Sequence, residues 1–511
     1  MVAIRTDRTG AGGIAIAAPL LVILGAAAAA GLYAEAPRLL MLAIGAILAP
    51  FALVIAYRYP GAVFAAYLCT PFYKAGLQPY VPVDVTILLS VLCFLQLPFM
   101  FMAGTGSASV AGRSVRWRNA LVIWTAFTGV MILGVVYAPD TQAATDSVVN
   151  WMLLTFLPSV AAIRIARDRR YLAQLLWSLF AIGASVVIAG LWLLPTVGDW
   201  PNDRLRVFGA HTIRVGQAAL LVPMIAVPFA FRTGNSLARA VAVVSIPPAL
   251  LVAASSGSRG PLLMLVLTGL VFSLRRLVIA ANRIGKRPKT VRPLRYLIPG
   301  ILLMILLAVL PVSALGGLVP ERSAERLATI STILGSAGEQ DLEANAPDAS
   351  TADRVRAYDV AEEMFMERPL LGHGTFSFAS LLQYYDPQLA WPETVAHPHN
   401  LALQVAAEYG IVGLLVLAAF VAVAFRRGFR LASSPEWTTI FLLAYFFLLC
   451  AMVSTEMRDN RMLWGLLFLL LLAPDPGALD AAEGTSRREA ARTNGNLPDH
   501  ELHPLSTRGI P

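Results

Sequence analysis

Four of the six histidines, His211, His373, His397 and His399, lie in polar segments between long apolar stretches, and only His500 and His503 fall in the C-terminal tail. Imidazole, with an unperturbed pKa of about 6.5, suits proton transfer near neutral pH. His399 stands at the mouth of an apolar stretch, with Asn400 beside it and His397 two residues earlier. Taken alone, it reads more readily as an interfacial cap or a hydrogen-bonded structural residue than as a base. Arginines supply the second ingredient. Arg204, Arg206 and Arg214 bracket the entry to one apolar stretch, and Arg259 sits in SSGSRG between two closely spaced ones. Ionisable groups at membrane depth are costly and tend to mark ligand or ion paths, although an isolated arginine is better explained by snorkelling to lipid phosphate. Arg259 is hemmed in by Gly257 and Gly260 in a turn too tight to carry its side chain far, which favours function there. An imidazole with guanidinium forks around it can take a proton from a hydroxyl and hold phosphate oxygens bidentately.

Other residue types offer less. Outside the apolar stretches there is no D-x-D and no His/carboxylate cluster at metal-ligand spacing, so neither a metal site nor a cofactor is expected. Cys69, Cys93 and Cys450 lie far apart in apolar stretches, without a C-x-x-C pair, and read as packing residues. Glu408 sits well inside an apolar stretch, where a structural partnership with an arginine or a helix end is favoured. Glu456, Arg458 and Arg461 form a compact polar group that can neutralise itself.

The elements that must position these residues are membrane helices. Hydrophobic residues make up 57% of 511 positions and charged residues 14%, too little polar surface to coat a soluble globule of this length. A crossing helix needs about 20 mostly apolar residues, because unpaired backbone groups are not tolerated in hydrocarbon. The spans then fall near 14–33, 39–57, 61–76, 84–103, 118–138, 148–163, 171–194, 213–231, 239–255, 260–274, 296–315, 400–424, 437–453 and 462–474. The piece at 61–76 is short and polar enough to be re-entrant, and 260–274 is also short. The expected fold is an all-α polytopic transmembrane bundle of about 12–14 helices with a helical periplasmic loop domain.

Orientation follows from Lys and Arg in short loops. Arg113/Arg116/Arg118, Arg164/Arg167/Arg169/Arg170, Arg232/Arg239, the run from Arg275 to Arg295, and Arg426/Arg427/Arg430 all fall on one side of these spans. That side is expected to be the cytoplasm, with both termini on it and the histidines facing the periplasm. Topology accounts for the formal charge of +9, so nucleic-acid binding, which would want a basic face interleaved with aromatics, is not expected. The first apolar stretch runs on into a second without a small-residue cleavage site and should act as an uncleaved anchor in the inner membrane.

Four regions follow: a transmembrane region at 1–315 with a short outer loop at 195–213, a large outer loop at 316–398, C-terminal helices at 399–474 and a disordered tail at 475–511. Within the large loop, DRVRAYDVAEEMFMER at 353–368 reads as an amphipathic helix and PLLGHG at 369–374 as a turn. A loop of about 80 residues between membrane helices is usually a functional cap. Down the helix that begins at His399, Ala406, Gly410 and Gly413 share roughly its face, a small-residue stripe that lets a neighbouring backbone come close.

The segment HNLALQVAAEYGIVG, from His399 to Gly413, resembles the signature of the O-antigen ligase and O-antigen polymerase superfamily: a His, then Asn, Ser or Gln, nine arbitrary residues and G-x-x-G. His399, Asn400, Gly410 and Gly413 match it without a gap. R-x-x-G at Arg206–Gly209, S-R-G at Ser258–Gly260, and R-x-x-x-Y followed by RPLLGHGTFSF resemble the family's order of features. Arg354 or Arg356 stands where members carry an arginine early in the large loop. His373 in LGHG and the HTIRVG stretch at 211–216 depart from the pattern, which bears on substrate identity more than on fold.

The resemblance implies an α-helical membrane domain with a periplasmic helical loop over a cavity facing the outer leaflet. It also implies metal-independent glycosyl transfer from an undecaprenyl-diphosphate-linked glycan to a lipid, glycan or protein acceptor. His399 would be the base, and Arg206, Arg214 and Arg259 would stabilise the diphosphate, with Arg206 and Arg214 as partial alternatives to each other. Asn400, His397, Arg354 and Arg356 would contact substrate. A ligase is expected first and a polymerase, with room for a chain-length regulator as partner, second. A transporter or flippase of polyprenyl-linked glycans is less favoured: it should show inverted repeats or broken helices at mid-membrane, whereas no repeat is evident and the polar residues gather at one surface.

Overall fold

The computed structural model describes residues 50–80, 84–98, 110–199, 204–230, 236–284, 349–389, 397–431, 434–454 and 456–474. All regular structure among them is helical. In chain order the helices are α1 (Pro50–Arg58), α2 (Pro60–Leu68), α3 (Thr70–Leu77), α4 (Val85–Phe94), α5 (Val110–Val135), α6 (Thr141–Arg167), α7 (Arg169–Leu193) and α8 (Thr212–Ala230). They continue with α9 (Ser236–Ser255), α10 (Arg259–Ile284), α11 (Ala349–Glu367), α12 (Ser377–Tyr385), α13 (Leu401–Arg430), α14 (Pro435–Ala451) and α15 (Arg461–Leu471).

The protein is thus an all-α polytopic membrane protein. Among the described residues, five segments are long and apolar enough to cross a bilayer, namely Trp117–Val135, Thr141–Arg167, Arg169–Thr196, Thr212–Ala230 and Leu401–Arg430. The α1–α2 pair makes a sixth if its two halves form one span, although they are bent by 99°. Val85–Phe94, Arg239–Ser255, Pro435–Ala451 and Arg461–Leu471 are shorter apolar helices. Of the expected 12–14 crossings, those at 14–33 and 296–315 lie outside the described residues, as do the first half of the large outer loop and the tail at 475–511.

Proline explains the bend. Pro60 opens α2 after a non-helical Tyr59, and Pro71 lies in the first turn of α3, so the chain breaks just ahead of the 61–76 piece and again in its middle, at Cys69. Elsewhere small residues allow close packing: a Cβ on Gly61 would lie 2.0 Å from Tyr171 O, and one on Gly183 would lie 2.9 Å from Ala218 O. Where α5, α6, α13 and α15 meet, Trp124 is fully buried among Phe127, Trp151, Phe420 and Trp464, with ring centroids 5.4–6.5 Å from its own.

The two ends of the bundle differ in chemistry. At one end arginines bind helix termini: Arg164 Nη2 donates to Tyr57 O at 2.6 Å, Arg275 Nη2 to Gly428 O at 2.8 Å, and Arg169 pairs with Glu436 at 2.8 Å. The other end carries His399 ahead of α13 and the α11–α12 pair. That pair has a small core of its own, in which Val360, Met364, Phe378 and Leu382 join Ala407 of α13.

One joint fixes the histidine end. α13 is broken at Gly410, where φ is 61° and ψ −157°, a conformation open essentially to glycine alone. The 369–374 turn enters the break. His373 N donates to Ala407 O at 3.0 Å and Gly374 N to Glu408 O at 2.8 Å, while Ile411 N and Val412 N donate to Pro369 O at 2.8 Å and Leu370 O at 3.3 Å. The backbone that approaches the small-residue stripe is therefore this turn.

Candidate active site

Asn400 explains the local backbone at the start of the signature. It is the N-cap of α13, its Oδ1 accepting from Ala402 N at 2.9 Å and Leu403 N at 3.2 Å, which satisfies two of the helix's orphan donors. Its oxygen is committed to the cap. His399 just before it adopts a left-handed φ of 50°. The His397 ring lies 4.2 Å from that of His399, centroid to centroid, tilted by 57°.

Cations from three segments surround the imidazoles. Burial first, then His397, Arg354 and His211 together push the His399 pKa down to about 3. His211 is also lowered, first by burial and then by Arg204, Arg206, Arg214 and Arg354. The outer loop before α8, the start of α8 and the first half of α11 thus each bring an arginine charge to bear on His211. Arg206 is exposed, whereas Arg204, Arg214 and Arg354 are half-buried. Arg204 Nη2 donates to Gly257 O at 3.2 Å and Leu205 N to Ser255 O at 3.1 Å, which ties the 204–209 loop to the turn ahead of α10. Arg214 Nη1 donates to Gln217 Oε1 at 3.3 Å.

Arg259 opens α10 directly after that turn, in which Gly257 takes φ 64°. A Cβ on Gly216 of α8 would meet Ser256 Oγ at 3.3 Å and Pro261 Cγ at 3.4 Å, so the Arg259 end of α10 is packed flush against α8. Arg259 is half-buried on this flank. Arg356 points elsewhere, to Asp386 Oδ1 at 2.6 Å and Gln388 Oε1 at 3.3 Å inside the α11–α12 unit.

A second polar layer lies one to two turns down α13. Gln404 Nε2 donates to Glu408 Oε1 at 3.3 Å, and Gln404 Oε1 accepts from Met457 N at 3.1 Å. Arg458 pairs with Glu456 and lies 4.6 Å over the Phe376 ring. Burial raises the Glu456 pKa against the opposing Arg458 charge. These residues bind the α14–α15 loop and the α12 entry to the signature helix, the structural partnership expected for Glu408. His373 is buried, its Nε2 3.0 Å from Met364 O and its ring edge-on to Tyr385, which ties the turn to the end of α11.

His399, His397, Arg206, Arg214 and Arg354 are brought together, while Arg356 is held apart. His211 and Arg204 belong to the cluster too and were not singled out as site residues. Their signal was their place beside Arg206 and Arg214 in an otherwise cation-poor outer segment. Among the described residues, no three His, Cys, Asp or Glu side chains group as metal ligands.

No curated protein matches the chain. Residues 241–418 match a family model described as O-antigen ligase, a segment that holds Arg259, Arg354, the 369–374 turn and the whole signature from His399 to Gly413. The match covers about a third of the chain and supports a relationship of this segment to the O-antigen ligase superfamily, and with it a function of the general O-antigen ligase and polymerase type.

Proposed function

We propose that this protein moves a glycan from an undecaprenyl-diphosphate carrier to an acceptor hydroxyl at the periplasmic face of the inner membrane, without a metal ion. The observation that carries the reading is the convergence of Arg204, Arg206, Arg214 and Arg354 on His211, with His211, Arg354 and the neighbouring ring of His397 acting in turn on His399. The acceptor oxygen attacks the anomeric carbon, its proton passes to the neutral imidazole of His399, and the bond from that carbon to the carrier's phosphate oxygen breaks. The polyprenyl diphosphate leaves with the bonding pair. General-base catalysis is worth about 10²–10⁴-fold. Fixed cations aimed at the developing diphosphate charge are the larger contribution. Arg354, Arg204, Arg206 and Arg214 supply them, with Arg259 on the flank for the distal phosphate. His397 lies within reach of the acceptor.

The leading form is a ligase acting on an assembled glycan. A polymerase uses the same donor with a second carrier-linked glycan as acceptor. Glycan analysis of a deletion strain separates the two: free precursor of normal chain length means ligase, and single repeat units mean polymerase. Transfer by the purified protein is expected to survive chelator. Loss with EDTA and recovery with a divalent ion would contradict the arginine-based mechanism.

A further inference from the structure

The turn docked on the broken α13 carries large apolar side chains that stand exposed among the described residues. Met366, Leu370 and Leu371 are 70%, 68% and 55% exposed. They adjoin Val136 at the end of α5 and Ile411 and Val412 on α13, all exposed as well. Tyr137 Oη donates to Leu371 O at 2.8 Å, and Ile411 N reaches Pro369 O, so the patch runs on without a gap from the outward flanks of two membrane spans.

Depth follows from helix geometry. At 1.5 Å per residue, the stretch of α13 from Arg430 up to Gly410 rises about 30 Å, the thickness of the hydrocarbon. The break and its turn therefore lie at the hydrocarbon boundary of the histidine end. Irregular backbone is tolerated at that depth only when its polar groups are paired. Here they are: Pro369, Leu370 and Leu371 carbonyls accept from Ile411 N, Val412 N and Tyr137 Oη, while Gly372, His373 and Gly374 N–H groups donate to the Arg368, Ala407 and Glu408 carbonyls. The exposed Arg368 stands at its head, placed to reach lipid phosphate.

We propose that the Met366–Leu371 edge is inserted into the leaflet at the histidine end, its partner being the acyl chains of bilayer lipids. The loop unit is thereby pinned to the membrane, and the cation cluster is held at headgroup depth.

The test places a single bimane-labelled cysteine at Leu371→Cys, and another at the exposed polar Glu362→Cys on α11, in the full-length protein in phosphatidylcholine vesicles. Cys69, Cys93 and Cys450 are buried, and the wild-type chain carried through labelling supplies the background. The label at 371 should lose its fluorescence to lipids brominated on their acyl chains and be little affected by iodide, and the label at 362 should behave in the opposite way. Quenching at 371 by iodide as readily as at 362 would overturn the proposal, and so would quenching by neither, which would mean that protein covers the patch. Leu370→Cys serves in the same way if Leu371→Cys fails to insert.

Discussion

His399 is held in a left-handed backbone conformation, at a φ of 50°, which costs a residue with a β-carbon about 1–3 kcal/mol. The surroundings impose it: Asn400 caps α13 on one side and Pro398 stiffens the other. Burial and neighbouring cations keep the imidazole neutral down to about pH 3 in the free protein. The sign of the pH dependence follows. The base is already deprotonated between about pH 5 and 8, so kcat/KM for the donor, which reports the free enzyme, should show no acid limb from His399 in that range. A bound diphosphate acts against the cations and raises the pKa, so kcat should lose activity at a higher pH than kcat/KM does. An acid limb in kcat/KM near pH 6.5 that vanishes in His399→Ala would contradict this.

Arg354 and Arg356 are two residues apart on α11 and point to different faces. Arg354→Ala should weaken donor binding and transfer together, with little recovery in Arg354→Lys, because an ammonium lacks the bidentate fork. Arg356→Ala should lower thermal stability by about 1 kcal/mol, the scale of a partly exposed ion pair, while transfer per folded protein stays near wild type. Donor titration and melting of both variants decide between the two assignments. The sequence offered both arginines equally, because spacing alone does not say which face of an amphipathic helix meets the bundle. His399 and Arg214 stood out as candidates in the sequence because cations and imidazoles are scarce on the expected outer side.

At the scale of elements, the signature is a helix cap joined to a helix break. Gly410 permits a φ of 61° with ψ −157°, and a Cβ there would lie 2.4 Å from Leu370 O. The break also folds Tyr409 back, so that a Cβ on Gly413 would lie 2.3 Å from Tyr409 Cβ. Gly410→Ala should therefore destabilise by about 1–3 kcal/mol from backbone strain alone, and more from the displaced turn. Gly269→Ala in α10, where a Cβ meets nothing within 4 Å, should be neutral or stabilise by roughly 0.5–1 kcal/mol. Equal melting temperatures for the two variants in detergent would count against the joint. The periodicity of 400–424 pointed to one long helix with a small-residue face and located the close approach. The break itself was hidden, because apolar spacing persists on both sides of Gly410 and the entering backbone is remote in sequence. The turn at 369–374 was legible as a turn, since Gly372 and Gly374 take φ 68° and 98°.

Across the whole molecule, the basic residues gather where α6, α7, α10 and α13 end away from His399, as charge in short loops led one to expect. A reporter active only in the periplasm should accordingly work when fused within 330–390 and stay silent when fused within 282–292. The reverse pattern would move the site to the cytoplasm and end the proposed chemistry. Fold class was the most legible feature, because composition alone demands a bilayer. Span boundaries were less so. Prolines at 60 and 71 divide apolar sequence that a hydropathy window reads as continuous, and α6 absorbs a π-helical turn at Met152–Phe156.

In the proposed mechanism His399 is the base and the arginines are the grip. Single-turnover transfer and donor binding by His399→Ala, at wild-type membrane levels in proteoliposomes, test it most directly. The transfer step should slow by about 10²–10⁴-fold with donor affinity nearly intact. Transfer close to the wild-type rate would contradict it and remove the histidine from the mechanism.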